Sequence, residues 1–167
     1  MRETMTLQDL LGSIEQIHVM DIGAACIAEV PVYKNLLDLH LAHLTAFEGD
    51  NRQIKKIQES FGDQVTIYND FLSDGTEKIL YLGSEDSGMT SLLKPDLTAL
   101  KFFNGFEHFG MIHRTEQIQT KRLDDVAGIH AIDMLKMDIQ GSELSVLKNG
   151  LNTLKDCLAI QLEIAPD

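Results

Sequence analysis

Short apolar runs alternate along the chain with segments that have the apolar spacing of an amphipathic helix. Apolar runs over residues 17–22, 43–48 and 65–68 predict three strands, with a helix after each of the first two. Crossovers of this length between parallel strands are nearly always right-handed. This order therefore predicts a parallel sheet wound in the Rossmann sense.

Helix signals mark both crossovers. Pro31 is suited to the start of the first helix, and Asp50 can cap the second. A further short helix is predicted over residues 6–14, where Thr6 and Asp9 have the spacing of a capping box. The apolar positions predicted to be buried in the two crossover helices are Val32, Leu36, Leu37 and residues 39–41 in the first, and Ile54, Ile57 and Phe61 in the second.

The alternation is interrupted between residues 71 and 120. Its pattern predicts a β-rich insertion or lid that includes a short strand over residues 78–82. The alternating residues 118–123 predict an exposed edge strand at its end. Regular elements then resume as a strand, a helix and a strand over residues 132–138, 142–149 and 158–164. The predicted fold class is α/β, with a doubly wound, mostly parallel Rossmann-like sheet of order 3-2-1-4-5.

An acidic residue lies at or near the end of each predicted strand of this sheet. These residues are Asp21, Glu48, Asp70, Asp138 and Glu163. Because open α/β sheets bind ligands at the carboxyl ends of their strands, we expect the five acids to lie around one site. A carboxylate accepts two hydrogen bonds from a vicinal diol, so Glu48 is predicted to bind the hydroxyls of a ribose.

These acids also have simpler structural interpretations. The turn from Asp21 to Gly23 could be an ordinary tight connection between a strand and a helix, and Glu48 could be a solvated strand end. Asp138 could cap the helix that follows it, and Glu143 could be a first-turn acid favoured by the helix dipole.

Composition narrows the class of ligand. The chain has 167 residues, enough for one sizeable core and hence a single domain over residues 1–167. Its formal net charge is -12 and its 14 Lys and Arg residues are scattered, which argues against binding to nucleic acid. No apolar run approaches the roughly 20 residues of a membrane span. Cys26 and Cys157 have neither disulfide-framework nor metal spacing, so we expect reduced thiols and a cytoplasmic protein.

The turn after the first strand is a poor phosphate site. A dinucleotide needs backbone N–H groups at a helix start, with glycines in a G-x-G-x-x-G pattern. Here Ala25 and Ala28 replace the later glycines, Glu29 adds a negative charge and Pro31 removes an N–H. A cationic adenosyl cofactor without phosphate, S-adenosylmethionine, suits both this turn and the ring of acids. The histidines have no metal-binding spacing, so no metal site is predicted.

Several motifs follow one another from residue 17 onward. Val-Met-Asp-Ile-Gly-Ala over residues 19–24, Ala-Phe-Glu over 46–48 and Leu-Ser-Asp-Gly over 72–75 precede Thr-x-x-Leu-Asp-Asp over 120–125. The most distinctive block is Leu-Lys-Met-Asp-Ile-Gln-Gly-Ser-Glu over 135–143. With these motifs the chain resembles the FkbM-type family of class I S-adenosylmethionine-dependent methyltransferases.

The resemblance implies methyl transfer to a hydroxyl of a small molecule or a sugar. It implies that adenine is held at Asp70 and Phe71, by a hydrogen bond and by stacking, although a surface turn is an alternative there. Asp138 or Glu163 is the candidate base for the acceptor hydroxyl, with His113 as a weaker candidate. The full set of cofactor-binding residues implied by the resemblance is Asp21, Gly23, Ala24, Glu48, Asp70, Phe71 and Asp138.

The chain departs from the family pattern in its turns and in its length. Residues 23–27 read Gly-Ala-Ala-Cys-Ile where the family usually has Gly-Ala-Asn-x-Gly, so Ile27 is expected to obstruct backbone approach to the cofactor, and Gly49 replaces a proline. The sheet is expected to be C-terminally truncated relative to the seven-stranded methyltransferase fold. These departures support an alternative function, a catalytically silent or incomplete Rossmann-like module for binding or assembly. The exposed edge of the fifth strand could then form a homodimer.

Overall fold

A five-stranded sheet and a separate two-stranded sheet form the framework of the protein. The computed structural model describes residues 12, 15–26, 30–85, 87–108 and 110–163. The strands are β1 (Ile17–Ile22), β2 (Ala42–Phe47), β3 (Val65–Tyr68), β4 (Glu77–Leu82), β5 (Arg114–Gln119), β6 (Met134–Met137) and β7 (Ala159–Leu162). The large sheet has the order β3-β2-β1-β6-β7, and all its pairings are parallel. The predicted α/β class with a mostly parallel central sheet is confirmed.

Both faces of the central strand β1 are buried. Val19 packs on one face with Leu44 and the residues of the first crossover, whereas Met20 packs on the other face with Leu135. Because β1 is covered on both sides, apolar residues occupy consecutive positions at Val19 and Met20 instead of alternating with polar ones, and its buried acid, Asp21, comes near the carboxyl end. This is why the run over Ile17–Ile22 was recognisable as a strand with its correct bounds.

Four helices accompany the strands within the described residues: α1 (Lys34–Asp38), α2 (Asn51–Phe61), α3 (Leu97–Leu100) and α4 (Glu143–Lys148). The first is shorter than predicted, because His40 adopts a positive φ of 55° and turns the chain into β2. Leu37 is buried as expected, but Val32 and Leu39, predicted on the apolar side, are 60% and 53% exposed. A helix of five residues presents too few turns to bury all of these positions.

Helix α2 begins as the sequence predicts. The Asp50 side chain accepts a 3.0 Å hydrogen bond from the backbone N–H of Arg52 and so caps the helix. Its buried residues are Gln53, Ile57 and Phe61, so the prediction that Ile54 joins this buried face is wrong. The buried positions repeat every fourth residue, and Gln53 begins this row at the end nearest the carboxyl edge of the sheet.

The segment between β3 and β6 contains the two-stranded antiparallel sheet of β4 and β5. The second strand lies earlier than predicted, because the backbone N–H of Lys121 bonds to the carbonyl of Phe71 and residues 120–121 turn towards Leu72. Phe102, Phe103 and Phe106 follow α3 and contact one another on the surface.

Three predicted features lie outside the described residues. They are the helix over residues 6–14, the part of the first turn made by residues 27–29, and the strand end at residue 164.

β7 is an outer strand of the sheet, and a homodimer through its edge stays a prediction. Within the described ranges, no helix has the length and apolarity needed to cross a membrane.

Candidate functional site

A cavity of about 370 Å³ opens at the carboxyl ends of the parallel strands. It lies where the strand order reverses between β1 and β6, which is the usual ligand site in open α/β sheets. The residues of the predicted site share this one cavity: Asp21, Gly23, Ala24, Glu48, Asp70, Phe71, Asp138 and Glu163 line it. His113, the weaker candidate base, is not among the lining residues.

The turn after β1 is held tightly against the turn after β6. Gly23 has a φ of 81°, and its backbone N–H donates to the carbonyl of Phe47 at 2.9 Å. A Cβ atom at Gly23 would lie 2.1 Å from the carbonyl oxygen of Asp138, so only glycine fits there. The N–H of Asp138 in turn donates to the carbonyl of Ile22 at 3.0 Å. The two turns therefore form one rigid wall of the cavity.

Asp21 is a buried carboxylate on this wall, with 2% of its surface exposed. Tyr33 donates a 2.5 Å hydrogen bond to its Oδ2 atom, and Lys136 Nζ lies 3.2 Å from Oδ1. The lysine forms an ion pair, but no described residue gives Oδ1 a well-aligned hydrogen bond. Burial raises the pKa of Asp21 to about 6, against the opposing effect of Lys136.

Glu48 follows β2 and is 8% exposed. Its Oε1 atom accepts a 2.7 Å hydrogen bond from the backbone N–H of Asp50, which fixes the carboxylate at the cavity wall. Burial, reinforced by the negative charges of Asp50 and Asp21, raises the pKa of Glu48 to about 7. The interpretation of Glu48 as a solvated strand end is therefore wrong.

An aromatic surface lies beside Glu48. The ring of Phe71 approaches Gly49 so closely that a Cβ atom there would be 2.4 Å from ring carbons. Glycine at this position lets the flat ring lie directly over the backbone of the β2 turn. Asp70 forms an ion pair with Lys121, whose Nζ is 2.8 Å from Oδ1 and 3.0 Å from Oδ2. Asp70 and Phe71 thus have defined positions at the cavity.

The loop after β6 is organised by two acids with different roles. Asp138 lines the cavity and accepts a 2.8 Å hydrogen bond from Gln140 Nε2. It does not cap α4, whose N-cap residue is Ser142. Glu143 accepts hydrogen bonds from the backbone N–H groups of Gly141 at 3.0 Å and Ile139 at 3.3 Å. Glu143 therefore shapes the loop and is not among the lining residues.

Gln53 and Lys136 are among the lining residues that sequence reasoning missed. Gln53 is 2% exposed and donates from Nε2 to the carbonyl of Glu85 at 2.9 Å. Its register with Ile57 and Phe61 was the signal, since positions four apart on a helix share a face. Lys136 could have been found from its place in β6 two residues before Asp138, because alternate residues of an extended chain point to the same side.

The cavity is strongly acidic. Lys136 is the single basic residue among the described lining residues, and it is paired with Asp21. The acids on the lining are Asp21, Glu48, Asp50, Asp70, Glu85, Asp138 and Glu163. Lys136, Arg52, Lys121 and Lys56 form ion pairs with four of these acids, and the negative charge that remains favours a cationic ligand over an anionic one. In the described part of the chain, no three His, Cys, Asp or Glu side chains are grouped so that they could hold a metal ion.

Comparison with known proteins agrees with this geometry. The family model described as "Methyltransferase FkbM domain" matches residues 26–166. The chain is also 28% identical over 124 residues to the 2-O-methyltransferase NoeI of Sinorhizobium fredii (strain NBRC 101917 / NGR234), an alignment that covers 68% of this chain and 49% of that protein. The chain thus spans about half the length of this curated relative. No solved structure matches the chain. The match over most of its length shows that the chain belongs to the FkbM family of methyltransferases.

Proposed function

We propose that this protein is an S-adenosylmethionine-dependent methyltransferase that methylates a hydroxyl of a small molecule or a sugar. The observation that carries the proposal is the buried carboxylate of Glu48 at the end of β2, on the wall of an acidic cavity. S-adenosylmethionine has a vicinal ribose diol that such a carboxylate can bind, and a positive sulfonium that the other acids attract.

The lining residues fit this cofactor chemically. Glu48 would hold the ribose, and the ring of Phe71 offers a face on which adenine can stack. Gly23 and Ala24 would border the methionyl part from the turn after β1. Asp21, Asp70 and Asp138 complete the predicted set. Among its described residues, the lining offers a phosphate no cationic side chain besides the paired Lys136, and this disfavours a dinucleotide.

The chemistry requires alignment and removal of one proton. When bound, the cofactor supplies an electrophilic methyl group. The protein positions the acceptor oxygen, and most of the rate gain comes from this positioning. Asp138 and Glu163, which line the cavity, are the candidate groups to accept the proton of the acceptor hydroxyl. The printed name of the relative, a 2-O-methyltransferase, supports oxygen as the acceptor atom.

Calorimetric titration with S-adenosylmethionine and with S-adenosylhomocysteine tests the proposal. We expect both ligands to bind, and Glu48→Gln to weaken binding at least about tenfold by removing the charged acceptor of the diol. Glu59→Gln is the matched control, because Glu59 is an exposed acid on α2 and does not line the cavity. No detectable binding at millimolar ligand in a folded sample would overturn the proposal.

A catalytically silent module for binding or assembly is the second candidate function. It is favoured by Ala25, which lines the cavity at the position where the family usually carries asparagine. Under this candidate, adenosyl ligands bind but no methyl group reaches any hydroxyl acceptor. Loss of methyl transfer in Glu48→Ala, with radiolabelled cofactor and a panel of sugar acceptors, would rule it out.

A further inference from the structure

Gln53 lies on the cavity wall and has a hydrogen-bond acceptor without a partner among the described residues. The residue lies in the first turn of α2, is 2% exposed and belongs to the cavity lining. Its Oε1 atom is buried, and none of the described residues donates a hydrogen bond to it. Buried polar atoms in folded proteins are almost always paired, so an orphan on a cavity wall needs an explanation.

The orientation of the Gln53 amide follows from its neighbour. Its nitrogen is 2.9 Å from the carbonyl oxygen of Glu85, and a carbonyl can only accept. The nitrogen must therefore face Glu85, and the amide oxygen must face elsewhere. If the amide were rotated by 180°, its oxygen would lie against the Glu85 carbonyl oxygen, and both atoms are acceptors. The orientation of the amide therefore follows from its hydrogen bond.

We propose that Gln53 determines ligand specificity by accepting a hydrogen bond from an N–H or O–H group of the adenosyl ligand. This inference rests on the proposed function. The adenosyl group carries donors of two kinds, the exocyclic amine of adenine and the ribose hydroxyls. An acceptor that is left unpaired without the ligand discriminates against analogues that lack the matching donor, because the amide oxygen then stays buried and unsatisfied.

The same side chain also contacts a loop that lines the cavity. Residues 84–85 and 87–92 contribute to the lining, and α2 contacts this loop at Glu85 in two ways. Gln53 bonds to the Glu85 carbonyl, and Lys56 Nζ lies 3.0 Å from its carboxylate. Lys56 is therefore a matched control, because it contacts the same loop residue but brings no acceptor to the cavity.

The test measures binding of S-adenosylhomocysteine by calorimetry to the wild type, Gln53→Leu and Lys56→Gln. We expect Gln53→Leu to weaken binding about tenfold, because a ligand donor loses its partner, and Lys56→Gln to change it less than about twofold. Gln53→Met, closer in shape, takes the place of Gln53→Leu if circular dichroism shows that the leucine variant is misfolded.

Competition by nucleosides identifies the donor. If the amine is the donor, the wild type prefers adenosine to purine riboside, which lacks that amine, and Gln53→Leu loses the preference. If a ribose hydroxyl is the donor, the preference that disappears is the one for adenosine over 2′-deoxyadenosine or 3′-deoxyadenosine. Either result supports the inference.

Three outcomes overturn it. Equal affinity of wild type and Gln53→Leu for S-adenosylhomocysteine would show that the ligand does not use the acceptor. An equal loss in Gln53→Leu and Lys56→Gln would show that Gln53 only anchors the loop. Failure of the wild type to bind S-adenosylhomocysteine would overturn the proposed function itself, and this inference with it.

Discussion

The hydroxyl of Tyr33 donates a 2.5 Å hydrogen bond to the carboxylate of Asp21 beneath the cavity. Tyr33 is the residue just before α1 and is 1% exposed, so this bond ties the first crossover to the end of β1. It also lowers the pKa of Asp21, although burial outweighs it and the pKa remains raised, at about 6. This hydrogen bond therefore couples the packing of the first crossover to the ionisation of Asp21 in the cavity.

Tyr33→Phe should destabilise the protein, and more so at alkaline pH. Above pH 6 the Asp21 carboxylate is mainly ionised, and loss of its buried donor should cost about 1–3 kcal/mol. At pH 5 Asp21 is mainly protonated and the cost should be smaller. Urea unfolding at pH 5 and pH 8 measures both, with Tyr81→Phe, at a tyrosine that does not line the cavity, as the control. A pH-independent loss would contradict this account.

Glu48 should make the ligand-free protein less stable as pH rises. Its pKa is about 7 in the fold and 4.5 in its ordinary state, so the folded protein holds the proton more tightly. The stabilisation is complete below pH 4.5 and is lost as pH rises through 7, a change on the order of 3 kcal/mol. Glu48→Gln should lack this component and unfold at higher urea concentration than wild type at pH 8.

Comparing the wild type with Glu48→Gln isolates the effect of Glu48, because Asp21, whose pKa is also raised, is present in both proteins. Glu59→Gln, on the exposed side of α2, should leave the pH dependence unchanged. Parallel curves of unfolding free energy against pH for wild type and Glu48→Gln would show that the charge of Glu48 is not penalised in the fold.

The affinity for S-adenosylmethionine should depend on pH in the opposite direction. Binding of the diol and the sulfonium favours ionised Glu48, and with a pKa of about 7 the affinity should rise about tenfold between pH 6 and pH 8. Calorimetry at fixed ionic strength measures this. Glu48→Gln should bind more weakly and show little pH dependence. A wild-type affinity that falls as pH rises would assign Glu48 a different role.

The central sheet could be predicted because burial determines which types of residue its strands contain. β1 is covered on both faces, so its apolar run identifies it, and Asp50 caps α2 through a contact local in sequence. The acids at the strand ends follow from the same logic. Parallel strands bring their carboxyl ends together whatever the loops do, so Asp21, Glu48 and Asp138 meet at one cavity.

Features that depend on distant partners were not predictable in the same way. The end of α1 depends on the positive φ of His40, and the end of β5 depends on the pairing of Lys121 with Phe71 across the insertion. Gln53 is a polar residue in a helical stripe, and its place on the cavity wall depends on a loop distant in sequence, which it contacts at Glu85. The local sequence pattern contains no information about such distant partners.

Gly23→Ala should be far more damaging than substitution of another glycine with positive φ. Both Gly23 and Gly62 have a positive φ, of 81° and 56°, but a Cβ atom at Gly62 meets nothing within 4 Å among the described residues. Gly62→Ala should therefore cost backbone strain alone, about 1–3 kcal/mol, at a φ of 56° and a ψ of -129°. Gly23→Ala adds a clash with the Asp138 carbonyl and should cost at least about 2 kcal/mol more than Gly62→Ala. Equal shifts in thermal unfolding would contradict the close packing of the two turns.

Glu143 should affect the cavity through the loop whose backbone it binds. Two substitutions distinguish the effect of its hydrogen-bond acceptor from the effect of its negative charge. Glu143→Ala leaves the N–H groups of Ile139 and Gly141 without their acceptor and should cost about 2 kcal/mol in urea unfolding. Glu143→Gln keeps an oxygen in place and should cost clearly less. Because Asp138 and Gln140 lie on this loop, the alanine variant should also weaken S-adenosylhomocysteine binding, whereas the glutamine variant should retain it. An equal loss of stability and binding in both variants would mean that the negative charge of Glu143, and not its hydrogen bonds to the backbone, holds the loop in position.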